Sequence, residues 1–415
     1  MTTDILAIDR IAAGGVGVGR LSDGRVAFVP RTAPGDRVEM RVMQVAPRFV
    51  RGRLVRIVEP GPDRTEPGCA HYVADECGGC QLQHLPTEAQ RTARRAIVGD
   101  AIRRIGKLSA DDPPLVPAAS EWGYRAKISL TRRPDGAVGY HRYDRPGEVF
   151  PVRECPIAAP GVNRLLARLR QSRPELPRHL SRLVLRLDRS GAEHVVVETG
   201  EGPVWQGGRA LHAAVKAEAP LTIWWRQAGE APRAVAGSDS AYPPTAFEQV
   251  NPVMGDRVRA AAIERLGAVG GRSVWDLYAG IGETSSLLAE RGADVVSVEW
   301  DRSAVAEAAR RQARYGRQIE RIAGAVERVI GSLGRPDRVV VNPPRTGMAT
   351  EVVDGLRERG PDRIVYVSCD PATLGRDLAR LVGRGPPAYR LVSLEAFDLF
   401  PQTAHVETVA VMERA

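Results

Sequence analysis

From residue 250 to the C-terminus, short apolar runs alternate with amphipathic stretches, and this alternation restricts the fold more than any other feature. A helix over 252–266 precedes the strand "SVWDLY" (273–278), and the turn "AGIGETS" opens a second helix. Strand "DVVSVEW" (294–300), a helix over 301–315, strand "DRVVVN" (337–342), a helix over 349–359 and strand "DRIVYVSC" (362–369) follow. A helix over 371–383 leads to two final strands, near 389–396 and 404–413. Alternation on this scale implies a parallel sheet with helices on both faces, closed by an antiparallel hairpin at its edge.

Ligands of open α/β sheets bind outside the carboxyl ends of the strands, so residues there are the first candidates for function. Asp276 ends one strand, and Gly280 and Gly282 form a tight turn whose backbone N–H groups can approach a ligand. A dinucleotide fingerprint would need glycine at 285, where serine stands. Glu299 ends the next strand, where a carboxylate can hold the two hydroxyls of a ribose. "VNPPRTG" (341–347) ends a later strand with two prolines, a stiff loop suited to clamping a flat group. Together the three strand ends favour an S-adenosylmethionine-dependent methyltransferase over a dehydrogenase.

Five cysteines occur: Cys69, Cys77, Cys80, Cys155 and Cys369. Four thiolates suffice to hold a [4Fe–4S] cluster or one zinc ion, and the Cys77-Gly78-Gly79-Cys80 turn leaves backbone amides free to bond cluster sulfurs. The N-terminus lacks a basic region followed by an apolar stretch, so no secretory signal is read; disulfides are not expected and a cytoplasmic location is. No run is long and apolar enough to span a membrane. The spacing differs from that of radical enzymes, and Cys369 is left over. It follows the apolar run Ile364–Val367 and precedes Asp370-Pro371, at the cofactor edge of the sheet.

The formal charge is +9, but from residue 250 onward 23 arginines meet 22 acids, so nearly all the excess lies in residues 1–249. That segregation points to an RNA-binding N-terminal half. Residues 1–58 alternate short β-like runs with glycine turns and carry ten arginines against five acids, as a small β-barrel binding RNA would. The segment 121–153 reads as a hairpin or meander, with Trp122, Tyr124, Tyr140 and Tyr143 among seven basic residues; that mixture suits single-stranded RNA. The helix over 87–107 is expected to present a basic outer face, and 235–245 reads as a boundary loop. Nothing in the sequence calls for an obligatory protein partner.

These pieces, taken in order, resemble the uracil-C5 RNA methyltransferases, which make 5-methyluridine in tRNA and ribosomal RNA. The resemblance runs through the N-terminal barrel, "CGGCQLQHL" with Cys155, "FEQVNP" (247–252), "DLYAGIG", "NPPR", "VSCDPATLGRDL" and "FPQTAHVETV". It implies a multidomain α/β protein: a TRAM-like (OB-like) β-barrel over 1–60, an iron–sulfur-containing RNA-binding α+β middle domain over 61–245, and a Rossmann-like methyltransferase domain over 246–415. It further implies that Cys69, Cys77, Cys80 and Cys155 hold a [4Fe–4S] cluster rather than zinc. Gln249, Tyr278, Glu299 and Asn342 match the family's S-adenosylmethionine contacts. The chain departs from the family at Asn342, where aspartate is usual, at Ala279 and Glu283 in the glycine loop, and in a longer interval between the first two cluster cysteines.

Uracil C5 is a poor nucleophile towards a methyl sulfonium. Addition of a thiolate at C6 makes C5 nucleophilic, and after methyl transfer a base must remove the C5 proton so that the thiolate can leave. Cys369 fits the nucleophile, and Glu407 matches the family's base. His405 reads as structural. Two alternatives stay open at this point: a non-catalytic RNA binder that keeps the fold, and a base-directed RNA methyltransferase of other regiochemistry.

Overall fold

A computed structural model of the chain describes residues 3–238, 248–313, 319–383 and 388–415. Most of the expected boundary loop at 235–245, Phe247, and the end of the expected helix over 301–315 lie outside these residues.

The N-terminal strands β1 (Thr3–Ala12), β2 (Val16–Arg20), β3 (Val26–Pro30), β4 (Arg37–Val45) and β5 (Phe49–Glu59) close into a barrel in the order β1-β2-β3-β5-β4. Alternate residues point inward, so Leu6, Ile8, Ala27, Val29, Val38, Met40 and Val50 form its core. Helix α1 (Ala70–Ala74) follows, within the cysteine loop. The barrel docks on that loop through Arg31, whose guanidinium lies 4.1 Å from the Tyr72 ring centre and 4.3 Å from that of Tyr143. Arg31 also donates to the carbonyls of Tyr72 and Cys77.

Helix α2 (Thr87–Arg104) and the two-residue strand β6 (Leu115–Val116) come next. Although they precede the middle sheet, both pack with the C-terminal domain. Val98 and Ile102 of α2 join its core, and β6 pairs in parallel with its outermost long strand. The middle sheet contains β7 (Lys127–Arg132), β8 (Val138–His141), β9 (Val149–Pro151), β10 (Leu180–Leu187), β11 (Glu193–Thr199), β12 (Leu221–Gln227) and β13 (Arg233–Gly237) in the order β13-β12-β11-β10-β7-β8-β9. Helices α3 (Pro160–Ser172) and α4 (Gly208–Val215) cover one face. The expected meander is present as β7-β8-β9, but its aromatics are not exposed stacking surfaces. Trp122 and Tyr124 pack against Cys69, Cys80 and Cys155, Tyr140 packs into the core of the sheet, and Tyr143 lies against Arg31.

The C-terminal elements are α5 (Pro252–Leu266), β14 (Ser273–Leu277), α6 (Glu283–Glu290), β15 (Asp294–Glu299), α7 (Arg302–Ala313), β16 (Glu320–Ala323), α8 (Val326–Val329), β17 (Arg338–Val341), α9 (Thr350–Arg359), β18 (Arg363–Ser368), α10 (Pro371–Val382), β19 (Tyr389–Phe397) and β20 (Glu407–Arg414). Strands β14 to β18 run parallel, in the sheet order β16-β15-β14-β17-β18-β20-β19-β6. Both faces are buried: Trp275, Val339, Val341, Ile364 and Tyr366 face one core, while Val274, Val340, Val365 and Val367 face the other. That is why these strands read as continuous apolar runs. The final hairpin is antiparallel as expected, with β6 added outside it. No helix among the described residues is long and apolar enough to cross a membrane.

Candidate active site

Three adjacent parallel strands bring three of the expected cofactor residues to one edge. Tyr278 follows β14, Glu299 ends β15 and Asn342 follows β17. Tyr278 adopts a left-handed conformation (φ 64°), uncommon for a bulky residue and costly unless the surroundings enforce it. The turn continues through Gly280 (φ 56°), where an added Cβ would meet no atom of the described residues within 4 Å, leaving the backbone open to a ligand. Glu299 is buried and shapes the turn, its carboxylate accepting from the Gly280 and Asp301 N–H groups, each at 2.9 Å. Beneath it Asp276 accepts from the Ser285 hydroxyl at 2.5 Å, and burial pushes its carboxyl up to about 6. Trp300, which sequence reasoning passed over, stands 72% exposed beside Glu299. The available signal was a tryptophan directly after the carboxylate expected to hold a ribose.

Glu283, unexpected in the glycine loop, is taken up by two arginines. Arg189, in the turn between β10 and β11, reaches it at 3.0 Å and Arg259 of α5 also pairs with it, and both arginines bind Asp256. The carboxylate serves as an inter-domain clamp. Gln249 sits apart from the strand-end trio, on the loop before α5, lining a small cavity with Lys127, Arg186 and Glu248. The nearby Asn251 caps α5 and donates to the Leu399 carbonyl at 3.1 Å, which ties this loop to the segment before β20.

Cys369 lies between β18 and α10. Asp370 caps α10 by accepting from the Ala372 and Thr373 N–H groups, both at 2.9 Å, and Pro371 occupies the first turn. Strand β20 pairs antiparallel with β18, with Ser368 opposite Thr408. The pairing ends there; Cys369 and Glu407 are the next residues on each side, and the two groups influence each other electrostatically. Glu407 is 1% exposed, one carboxylate oxygen has no hydrogen-bond partner among the described residues, and burial pushes its carboxyl up to about 8, partly opposed by Arg345. Burial also raises the Cys369 thiol, with Glu407 adding to the rise and Arg345 working against it. Arg345, in the Pro-Pro-Arg loop, is thus the cation that favours a thiolate here, and the sequence reading had left it without a role.

The other four cysteines converge on one pocket. Cys69 and Cys80 are buried with Tyr72 and Ile157, Cys155 packs against them, and all are free thiols. Burial raises the Cys77 thiol to about 11 and the Cys80 thiol further, and the neighbouring cysteines add to both shifts. Among the described residues no group of three or more Cys, His, Asp or Glu is arranged to hold a metal ion.

Comparison with known proteins agrees with this architecture. Residues 331–415 match the tRNA (Uracil-5-)-methyltransferase family model, and residues 6–55 match the TRAM domain. The chain is 33% identical to the 23S rRNA (uracil(1939)-C(5))-methyltransferase of Thiobacillus denitrificans, over 99% of both chains. It is 32% identical to the protein of the same description from Aromatoleum aromaticum, over 99% of both. Its fold is similar to that of the Pyrococcus abyssi tRNA (uracil-54, C5)-methyltransferase solved with S-adenosyl-L-homocysteine, with a TM-score of 0.73, 24% identity and coverage of 98% and 100%. A multidomain α/β chain with a closed N-terminal barrel, a methyltransferase sheet and full-length relatives of this kind belongs to the family of RNA uracil-C5 methyltransferases.

Proposed function

We propose that the chain methylates uracil C5 in RNA by covalent catalysis, with Cys369 as nucleophile and Glu407 as the base that ends the cycle. The observation that supports this reading is a buried carboxyl, Glu407, which begins the strand next to β18 and acts electrostatically on the Cys369 thiol just beyond the end of the β18–β20 pairing. Cys369, favoured as thiolate by Arg345, adds to uracil C6. C5 then takes the methyl group from the sulfonium of S-adenosylmethionine by in-line displacement. Glu407 accepts the C5 proton, the C6–S bond breaks, and the thiolate returns. Tyr278, Glu299 and Asn342 at the strand ends, together with Gln249 of the loop before α5, are the residues proposed to bind S-adenosylmethionine, and Trp300 supplies an exposed face for stacking its adenine. Asn342 holds a neutral acceptor there, so proton removal falls to Glu407 alone.

Cys69, Cys77, Cys80 and Cys155 would hold a [4Fe–4S] cluster. What supports the reading is that four free thiols gather in one pocket, with burial and the neighbouring cysteines raising those of Cys77 and Cys80, a donor set suited to a thiolate-held cluster. When bound, the group supplies cross-links between the 69–80 loop and the segment at Cys155. A cytoplasmic location goes with this chemistry. The basic N-terminal half is proposed to carry the RNA, and ribosomal RNA is the first substrate to test, since two full-length relatives are named for it.

The test is nucleoside mass spectrometry of ribosomal RNA and tRNA incubated with the protein and S-adenosylmethionine. 5-Methyluridine with the native chain and none with Cys369→Ala supports the reading. Product formed at full rate by the alanine variant, or a methylated base other than 5-methyluridine, overturns it.

A further inference from the structure

The segment that carries Glu407 to its place, residues 398–406, receives much of its support from outside the methyltransferase sheet. Gln402 sits in a left-handed conformation (φ 70°) and is 3% exposed, so its backbone is strained and held by its surroundings. Its carbonyl accepts from the N–H groups of Gln81 (3.2 Å) and Leu82 (3.1 Å). Its N–H donates to the Gln90 side chain at 3.0 Å, and the Gln90 amide returns a hydrogen bond to the Gln402 side chain at 2.9 Å. Two residues on, the Ala404 N–H donates to the Gln81 side chain at 3.3 Å. The Gln81 amide in turn donates to the Gly78 carbonyl at 2.9 Å, inside the Cys-Gly-Gly-Cys turn. Gln81 is therefore joined to that turn on one side and to the base-bearing segment on the other, and it directly follows Cys80.

We infer that Gln81 and Gln90 are positioning residues for Glu407, and that the cysteine loop, through Gln81, sets where the base stands relative to the C5 proton. The inference rests on the proposed role of Glu407. A misplaced carboxyl slows only the step it performs, since thiolate addition and methyl transfer need Cys369 and the cofactor edge. The cysteine loop then acts on catalysis by geometry, through the hydrogen bonds of Gln81.

The experiment is a single-turnover reaction of the full chain with RNA and methyl-labelled S-adenosylmethionine, sampled for label in RNA and for an SDS-stable protein–RNA adduct. Gln81→Leu, Gln90→Leu and Glu407→Gln are run side by side, with thermal melting recorded for each. The expected result is near-native label transfer by both leucine variants, with adduct breakdown slowed about 10- to 100-fold. Gln81→Glu, which keeps the acceptor for Ala404, should restore part of the breakdown rate. If Glu407→Gln gives no lasting adduct, the assignment of the base fails. If Glu407→Gln does give one while the leucine variants lose label transfer and breakdown in parallel, or lose neither, the positioning role is overturned.

Discussion

Thr408 of β20 faces Ser368 of β18, and its hydroxyl donates to the Ser368 carbonyl at 3.0 Å. This pair fixes the register at the end of the two strands. A slip of one residue would turn Glu407 to the other face of the sheet and leave Cys369 without a carboxyl partner. The chemistry proposed for the site thus depends on a side chain that takes no part in it.

Glu407→Gln should stop the cycle after methyl transfer, accumulating a methylated protein–RNA adduct visible on denaturing gels. Burial pushes the native carboxyl up to about 8, which makes the base form the minor one at neutral pH. Adduct breakdown should rise with pH through about 8 and level off above it. A pH-independent breakdown rate between 6 and 9, taken as an approximate range around that value, would exclude Glu407 as its base.

The same carboxyl makes a stability prediction. Its folded value, about 8, lies above its ordinary 4.5, so between these values the folded state binds more protons than the unfolded one. Stability therefore falls as pH rises through that window. Glu407→Gln removes this loss, on the order of a few kcal/mol when fully developed, and should melt higher than the native protein above pH 8. Melting curves at acid and alkaline pH check the sign; a variant less stable at alkaline pH would contradict it.

Arg94 and Asp398 form a fully buried ion pair at 2.9 Å, and Arg94 also donates to the Thr403 carbonyl at 2.8 Å. Arg94→Met should leave Asp398 largely dependent on the more distant Arg91 (3.3 Å) and cost about 3–5 kcal/mol. Denaturant titration measures it. A loss within the range of ordinary surface substitutions, about 0.5 kcal/mol, would show that the pair is not holding α2 to the segment that leads to Glu407.

Protein purified without oxygen should be brown and carry about four irons per chain, and Cys80→Ser should lose both. Metal analysis with parallel zinc determination checks this. Stoichiometric zinc with no iron would replace the cluster by a mononuclear site.

Much of the C-terminal sheet was legible because its strands are buried on both faces and its turns carry glycine, proline or capping aspartate. Cys369 was legible as the fifth cysteine, at a strand end closed by Asp370-Pro371. Strand β16 was missed, since "ERIA" is too short and too polar to stand out. The placement of α2 and β6 was missed as well, because it depends on contacts made some 300 residues away. Arg94 read as part of a basic outer face, yet its partner Asp398 takes it fully inside. The aromatics of 121–153 read as RNA-stacking surface, and the structure turns them towards the cysteines, the middle-sheet core and Arg31. Local pattern reports which residues are apolar or charged; it does not report which distant segment covers them.

The central claim is that Cys369 bonds to uracil C6. The direct measurement is mass spectrometry of the protein after reaction with RNA containing 5-fluorouridine, whose C5–F bond cannot yield a proton to Glu407 and so traps the adduct. The account predicts a single peptide bearing a methylated fluorouridine nucleotide on Cys369. An adduct on another residue, or no adduct from a preparation that forms 5-methyluridine in ordinary RNA, would contradict it.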